Sequence, residues 1–439
     1  MIAYDEYKVS SCDWIETIPK QWQIQRIKHL FKLRDERNYS PLSDVNLISL
    51  YSSVGVQQHK DIEHTTGNKA QNADGYKIVH PNDIVVNILL CWMGAIGRSE
   101  YYGVTSPAYD IYMPIIPLHT KYYHYLFRTA LFSCQCYRAG KGIMSMRWRT
   151  YSPQFSNITV PVPPREEQEQ IVRFLDWKVS AIDKLIATKK HQLCSLTALN
   201  STMEKNLVLL GFDAAYPKNP PSADWKENIP AHWKIRPLKR IFKILSGATP
   251  KSEIPEYWDG NIAWITPADY KTQDKYISHG SRNITEAGYA SCSTNMIPRG
   301  SIIFSKRAPI GTVAINDIEL CTNQGCLSCI PIKDASATYY YYLMSCFTDV
   351  FEMNASGTTF KEISATTFGN MKVPFPPINE QKKIAAYLDA KHTKYARFAE
   401  TTQKEIIVLN ELKTRLISDA VTGKIDVRSI KLPNFAKEE

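Results

Sequence analysis

Five short stretches set polar or basic side chains beside glycine, the pattern of loop tips that meet another molecule. GKGIMSMRWRTY places Lys141, Arg147 and Arg149 around Trp148. Far downstream, SGATPKS supplies Thr249 and Lys251, SKRAPIG supplies Lys306 and Arg307, TNQG supplies Asn323 and Gln324, and SGTTFKE supplies Thr359 and Lys361. Arg and Lys suit phosphates and guanine, Asn and Gln suit adenine, and glycine lets backbone approach closely. Any one of these is commonly a solvated loop residue; together they form the best binding constellation in the chain. Catalytic chemistry is harder to find. CTNQGCLSC contains Cys326 and Cys329 in a CxxC, but zinc needs four ligands and no second CxxC or paired His stands at a usual spacing, so these read as strand cysteines. Ten scattered His, with no Walker loop and no His-Glu-x-x-His, argue against a nucleotidase or metallohydrolase.

The elements that must position the tips are organised by a repeat. VPVPPREEQEQIVRFLD from Val160 and VPFPPINEQKKIAAYLD from Val373 agree at nine of seventeen positions, and DWIETIPKQWQIQRIKHLFK from Asp13 matches DWKENIPAHWKIRPLKRIFK from Asp224 at ten of twenty. Two copies of one module account for almost the whole chain, with ends alike and middles divergent. Each copy is rich in short β-type runs such as DIVVNILL and SIIFSK with a few helical stretches, hence a mixed α and β class. IVVNILLCWMGAIG from Ile84 is too short to span a membrane and reads as a buried strand and turn.

After each VPxPP, which cannot lie inside a helix, acids and Gln mark a helix start. The period then becomes heptad. Its first seam runs through Leu175, Val179, Ile182, Ile186, Lys189, Leu193, Leu196, Asn200, Met203, Leu207 and Leu210. A softer second seam runs through Leu388, His392, Tyr395, Ala399, Thr402, Ile406, Leu409, Lys413, Leu416, Ala420 and Gly423. Helices of roughly 40 residues, about 60 Å long, need a partner, and the economical one is the other copy in antiparallel pairing.

Composition agrees with a folded chain: 439 residues, 44% hydrophobic and 22% charged, enough for two or three domains. A net charge of +10 favours a polyanionic partner. Ten irregularly spaced Cys and an acid-bearing N-terminus point to a reducing cytoplasm. The tetrad NPPS, Asn219 to Ser222, resembles the Asn-Pro-Pro-aromatic motif of adenine methyltransferases, but ends in Ser and has no Gly-rich loop upstream. It reads as a linker.

As a set, IPxxW near each module start, SGATPKSEIPEYWDGNIAWITPADY, KRAPIGTVAI, NQG, GVTSPAYDIYMP, the doubled VPxPPxxEQxxI and the closing AVTGKIDVR resemble the DNA-specificity subunits of type I restriction-modification enzymes. The resemblance implies target-recognition domains at 1–160 and 213–373, each reading a few base pairs of a split site in double-stranded DNA. It implies a first spacer helix with the start of a linker at 161–212 and a second spacer helix with a C-terminal tail at 374–439, the helices forming an antiparallel coiled coil that fixes the gap and docks two methyltransferase subunits. Restriction or motor subunits are further expected partners, membranes are not, and S-adenosylmethionine, ATP and Mg are expected in the partners with no cofactor, metal or catalytic activity in this chain. Two other classes stay open from sequence: an enzyme fused into the same fold, and a coiled-coil adaptor without a nucleic-acid role.

Overall fold

The computed structural model describes residues 3–52, 54–59, 72–143, 148–212, 218–219, 228–269, 275–357 and 361–433. Its chain divides into two compact units, Met1–Lys190 with Gln403–Glu439, and His191–Thr402. The division runs through both long helices, Arg165–Leu210 and Ile378–Val421. Each unit therefore holds one globular body, the N-terminal part of the helix that follows that body, and the C-terminal part of the other helix.

The first body is built on a four-stranded antiparallel sheet in the order Phe31–Leu33, Tyr109–Pro114, Ile84–Asn87, Ile96–Arg98. Ile84–Asn87 is buried throughout, because the sheet is covered on both faces. Strand periodicity sorts its side chains: Ile84 and Val86 join the large core with Tyr122, Tyr123 and Phe127, while Val85 joins a smaller cluster with Ile48, Leu50 and Ile111.

The second body repeats that order in Phe242–Ser246, Cys326–Pro331, Ile302–Ser305 and Val313–Asn316, then adds Tyr276–Ile277 in parallel at the edge. Ile302 and Phe304 face the large core, whereas Ile303 faces a smaller cluster with Ala263, Ile297 and Cys326. Cys326 and Cys329 lie on one strand and pack into different clusters, so the CxxC does not converge on a common point. The bodies differ outside this shared sheet. In the second, Trp258–Ile265 lies between Arg282–Ile284 and Cys321–Thr322 in a three-stranded sheet; in the first, two-stranded pairs at Ile48–Tyr51 with Gly55–Gln58 and Lys77–Val79 with Gly103–Thr105 take that place.

The long helices follow the heptad. From Val179 to Met203 the residues at seam positions are the less exposed ones, and the residues between them face solvent. Leu175, Ile186, Leu388, Ile406 and Leu416 are buried; Val179, Ile182, Leu193, Leu196, Tyr395 and Leu409 are half-buried. His392 is exposed at its seam position. Within the first unit the segments run antiparallel, with Lys413 bound to Asp183 at 2.7 Å and Lys189 to Glu405 at 2.5 Å. Within the second, Thr197 Oγ1 meets the Tyr395 hydroxyl at 2.6 Å and His392 pairs with Glu204. Such exposed polar pairs add little stability, so the apolar seam holds the segments and the ion pairs favour one register.

Candidate nucleic-acid interface

The repeated sequence motifs build a socket in each body. In the first, the Trp22 indole donates to Glu167 at 2.9 Å, and Gln168 donates to Pro163 O at 2.9 Å while accepting from His119 N at 2.8 Å. In the second, Trp233 donates to Glu380 at 2.9 Å, and Gln381 donates to Pro376 O at 2.8 Å while accepting from Ser336 N at 2.8 Å. These bonds explain why IPxxW and VPxPPxxEQ recur together: Trp and Glu are the two halves of one contact at a helix start.

The far end of the other helix completes each socket. Tyr122 donates to Val421 O at 2.8 Å, and Tyr339 donates to Val208 O at 2.7 Å, satisfying carbonyls that a helix C-terminus leaves open. Gly423 and Gly211 then turn the chain at φ of +78° and +68°. A side-chain carbon at Gly423 would lie 2.4 Å from Pro19, and at Gly211 it would lie 3.2 Å from the Trp233 ring.

Beyond each sheet, three loops converge through the same hydrogen bonds. Lys306 N donates to Gly325 O and Ile363 N to Lys306 O, each at 3.0 Å; in the first body Ile88 N donates to Ala108 O at 3.5 Å and Thr150 N to Ile88 O at 3.0 Å. An antiparallel bridge closes the third loop in both, Ser356 with Glu362 and Lys141 with Arg149. Ile88 thus stands where Lys306 stands, and Arg149 where Glu362 stands.

The second body's cluster is polar. Thr249 donates to the Gln324 side chain, which joins the first loop to the TNQG turn. That turn needs close backbone approach, since a side-chain carbon at Gly247 would sit 2.0 Å from Thr322 O. Asn323 Oδ1 accepts from Gly325 N at 2.9 Å and shapes the turn. Lys306 Nζ and Arg307 Nε both bind Glu362, at 2.8 Å each. The paired cations, Lys306 first and then Arg307, hold the Glu362 carboxyl below its usual range, so it is ionised at neutral pH. Lys251 and Lys361 are exposed beside this cluster, with Lys251 O accepting from the Trp258 indole at 3.2 Å.

Apolar and aromatic groups dominate the first body's cluster. The strand of IVVNILLCWMGAIG is buried, but its tip is not: Leu90 is 44% and Met93 56% exposed. Trp148 stacks on Tyr137 at 4.8 Å between ring centres and donates to Tyr137 O at 3.0 Å. Lys141 is exposed and Arg149 half-buried on the closing bridge. The structure thus gathers Thr249, Lys306, Arg307, Asn323 and Gln324 in one body, with Lys251 and Lys361 adjoining, and Lys141 and Arg149 in the other. Arg147, Thr359 and residues 220–222 of NPPS lie outside the described residues. Sequence reasoning missed Glu362, whose role exists only through its two partners, and the Leu90–Met93 tip, whose apolar residues read as core.

Among the described residues no group of three or more potential metal ligands converges, and no helix is long and apolar enough to cross a membrane. The family described as type I restriction modification DNA specificity domain matches residues 19–195 and 230–408. The type I restriction enzyme MjaIX specificity subunit of Methanocaldococcus jannaschii is 40% identical over 163 residues, covering 36% of this chain and only 38% of that relative. The MjaVIII specificity subunit of the same organism is 24% identical over 434 residues, covering 94% and 95%. A solved structure from work on complex assembly and conformational transition of the type I R-M system shares the fold, with a TM-score of 0.71 at 16% identity over 93% of this chain and 99% of that one. With two family matches that span both repeats, this chain belongs to the type I restriction modification DNA specificity domain family.

Proposed function

We propose that the chain is the non-catalytic specificity subunit of a type I restriction-modification complex and reads a bipartite site in double-stranded DNA. One observation carries this reading: two near-identical sockets hold two unlike loop clusters, one basic and amide-rich, the other apolar with a basic border. Equal sockets give equal mounting, and unlike clusters give two different half-sites. The paired long helices set the undefined gap between the halves. Two methyltransferase subunits dock on the chain and methylate adenine using S-adenosylmethionine, and restriction or motor subunits add ATP- and Mg-dependent cleavage. The complex works in the cytoplasm.

The test is to co-express the chain with the methyltransferase subunit in a methylation-free host and map modified adenines genome-wide. A split motif with two short defined halves and a fixed gap is expected. A continuous motif, or no modification despite a soluble complex, would overturn the reading.

A further inference from the structure

Lys306 and Arg307 are consecutive residues, yet their side chains converge on a single carboxylate. Glu362 Oε1 takes Lys306 Nζ and Oε2 takes Arg307 Nε, both at 2.8 Å. That carboxylate is well anchored: Glu362 exchanges backbone hydrogen bonds with Ser356 at 2.9 and 3.0 Å, and the next residue, Ile363, donates to Lys306 O at 3.0 Å.

The two cations differ in what they have left to offer. The Lys306 side chain is only 13% exposed, so its charge is largely absorbed by Glu362. Arg307 is 48% exposed and is held through Nε alone, and its two terminal nitrogens make no hydrogen bond among the described residues. A guanidinium fixed at Nε presents a planar pair of N–H donors whose spacing matches O6 and N7 of guanine. Phosphate binding, by contrast, gains from unopposed positive charge, and an ionised carboxylate in contact opposes it. Both the geometry and the charge balance therefore favour a base edge over the backbone.

We propose that Arg307 reads a guanine in the half-site of the second body and that Glu362 is the positioning residue that orients its donors. This rests on the DNA-reading function proposed above, and it adds the base class and a residue for which the sequence offered no sign.

The experiment selects from a random-sequence duplex pool with the full-length chain purified with its co-expressed methyltransferase subunits. Wild type is compared with Glu362→Gln, Arg307→Ala and the double variant. Absence of any split consensus with wild type would refute the DNA-reading function itself. With a split consensus in hand, Glu362→Gln and Arg307→Ala should each lower the preference for guanine at the same single position of one half by roughly 5- to 150-fold. Their combination should cost no more than Arg307→Ala alone, and the other half should be unchanged. Retained guanine preference with affinity lowered equally for all sequences would assign the pair a structural or phosphate role and overturn the proposal. If Glu362→Gln loses one half altogether, Arg307→Lys decides, because it keeps the charge and removes the fork. Loss of guanine preference at one position then supports the proposal, and its retention overturns it.

Discussion

The two sockets are alike and the two loop clusters are not. Trp22 with Glu167 and Trp233 with Glu380 are the same contact, as are Tyr122 with Val421 and Tyr339 with Val208. At the loops, Ile88 and Arg149 replace Lys306 and Glu362. The difference follows from solvent. At Trp22, Tyr122 and Tyr339 the socket bonds start from side chains shielded from water, so losing one partner strands the other. A loop tip keeps its backbone hydrogen bonds whatever its side chains are, so tips can diverge on a constant frame.

The largest effect should come from breaking the symmetry of the sockets. Glu167 is buried and also accepts from Tyr4, whereas Glu380 is partly exposed and also meets His232. Trp22→Phe should cost about 2–3 kcal/mol and Trp233→Phe about 1 kcal/mol, read by hydrogen exchange in peptides from each body. Equal costs would show that burial of the carboxylate is not what separates them.

Acid should separate the bodies next. Burial pushes His124 down to about 3, and its Nδ1 accepts from Arg98 N at 3.1 Å, a bond that needs the neutral ring. The folded-state value lies below the unfolded one, so the contribution is full above about pH 6.5 and is lost as pH falls toward 3. At pH 5 the first body should lose protection on the order of 1–2 kcal/mol, and His124→Phe, which cannot be protonated, should remove that pH dependence. Loss of protection in the second body alone would contradict this.

A smaller difference should appear in salt dependence. Lys141→Ala removes an exposed cation of the first body's cluster, and should flatten the slope of binding against salt by about 1 unit. Lys306→Ala removes a cation already held by Glu362 and should change the slope little. Equal slopes for the two variants would erase the distinction between the clusters. The smallest effect is expected for Leu90→Ala with Met93→Ala, about 1 kcal/mol of affinity from lost apolar contact, confined to sites that keep the first body's half.

Much of the frame was legible in the sequence. The seam from Val179 to Met203 could be read because the less exposed positions repeat with the heptad itself, and the doubled IPxxW and VPxPPxxEQ marked both junctions; beyond it Val208 and Leu209, off the heptad, are the buried residues because they pack into the second body's core. What could not be read was how each body holds the far helix end that antiparallel pairing brings to it: Tyr122 and Val421 are 299 residues apart, and nothing local announces their bond. The candidate site was half legible. Lys306 and Arg307 carry a recognisable residue type, but Glu362 gains its meaning from a pairing across 55 residues. Leu90 and Met93 misled for the opposite reason, since apolar residues next to a buried strand look like core until the turn lifts them out.

The most direct test of the account is to determine the consensus selected from random duplexes by wild type, Leu90→Ala with Met93→Ala, and Glu362→Gln, side by side. If each body reads its own half on a shared frame, the first variant alters one half only, the second alters the other only, and the gap between halves stays constant in all three. A variant that altered both halves, or shifted the gap, would contradict independent readers mounted on equivalent sockets.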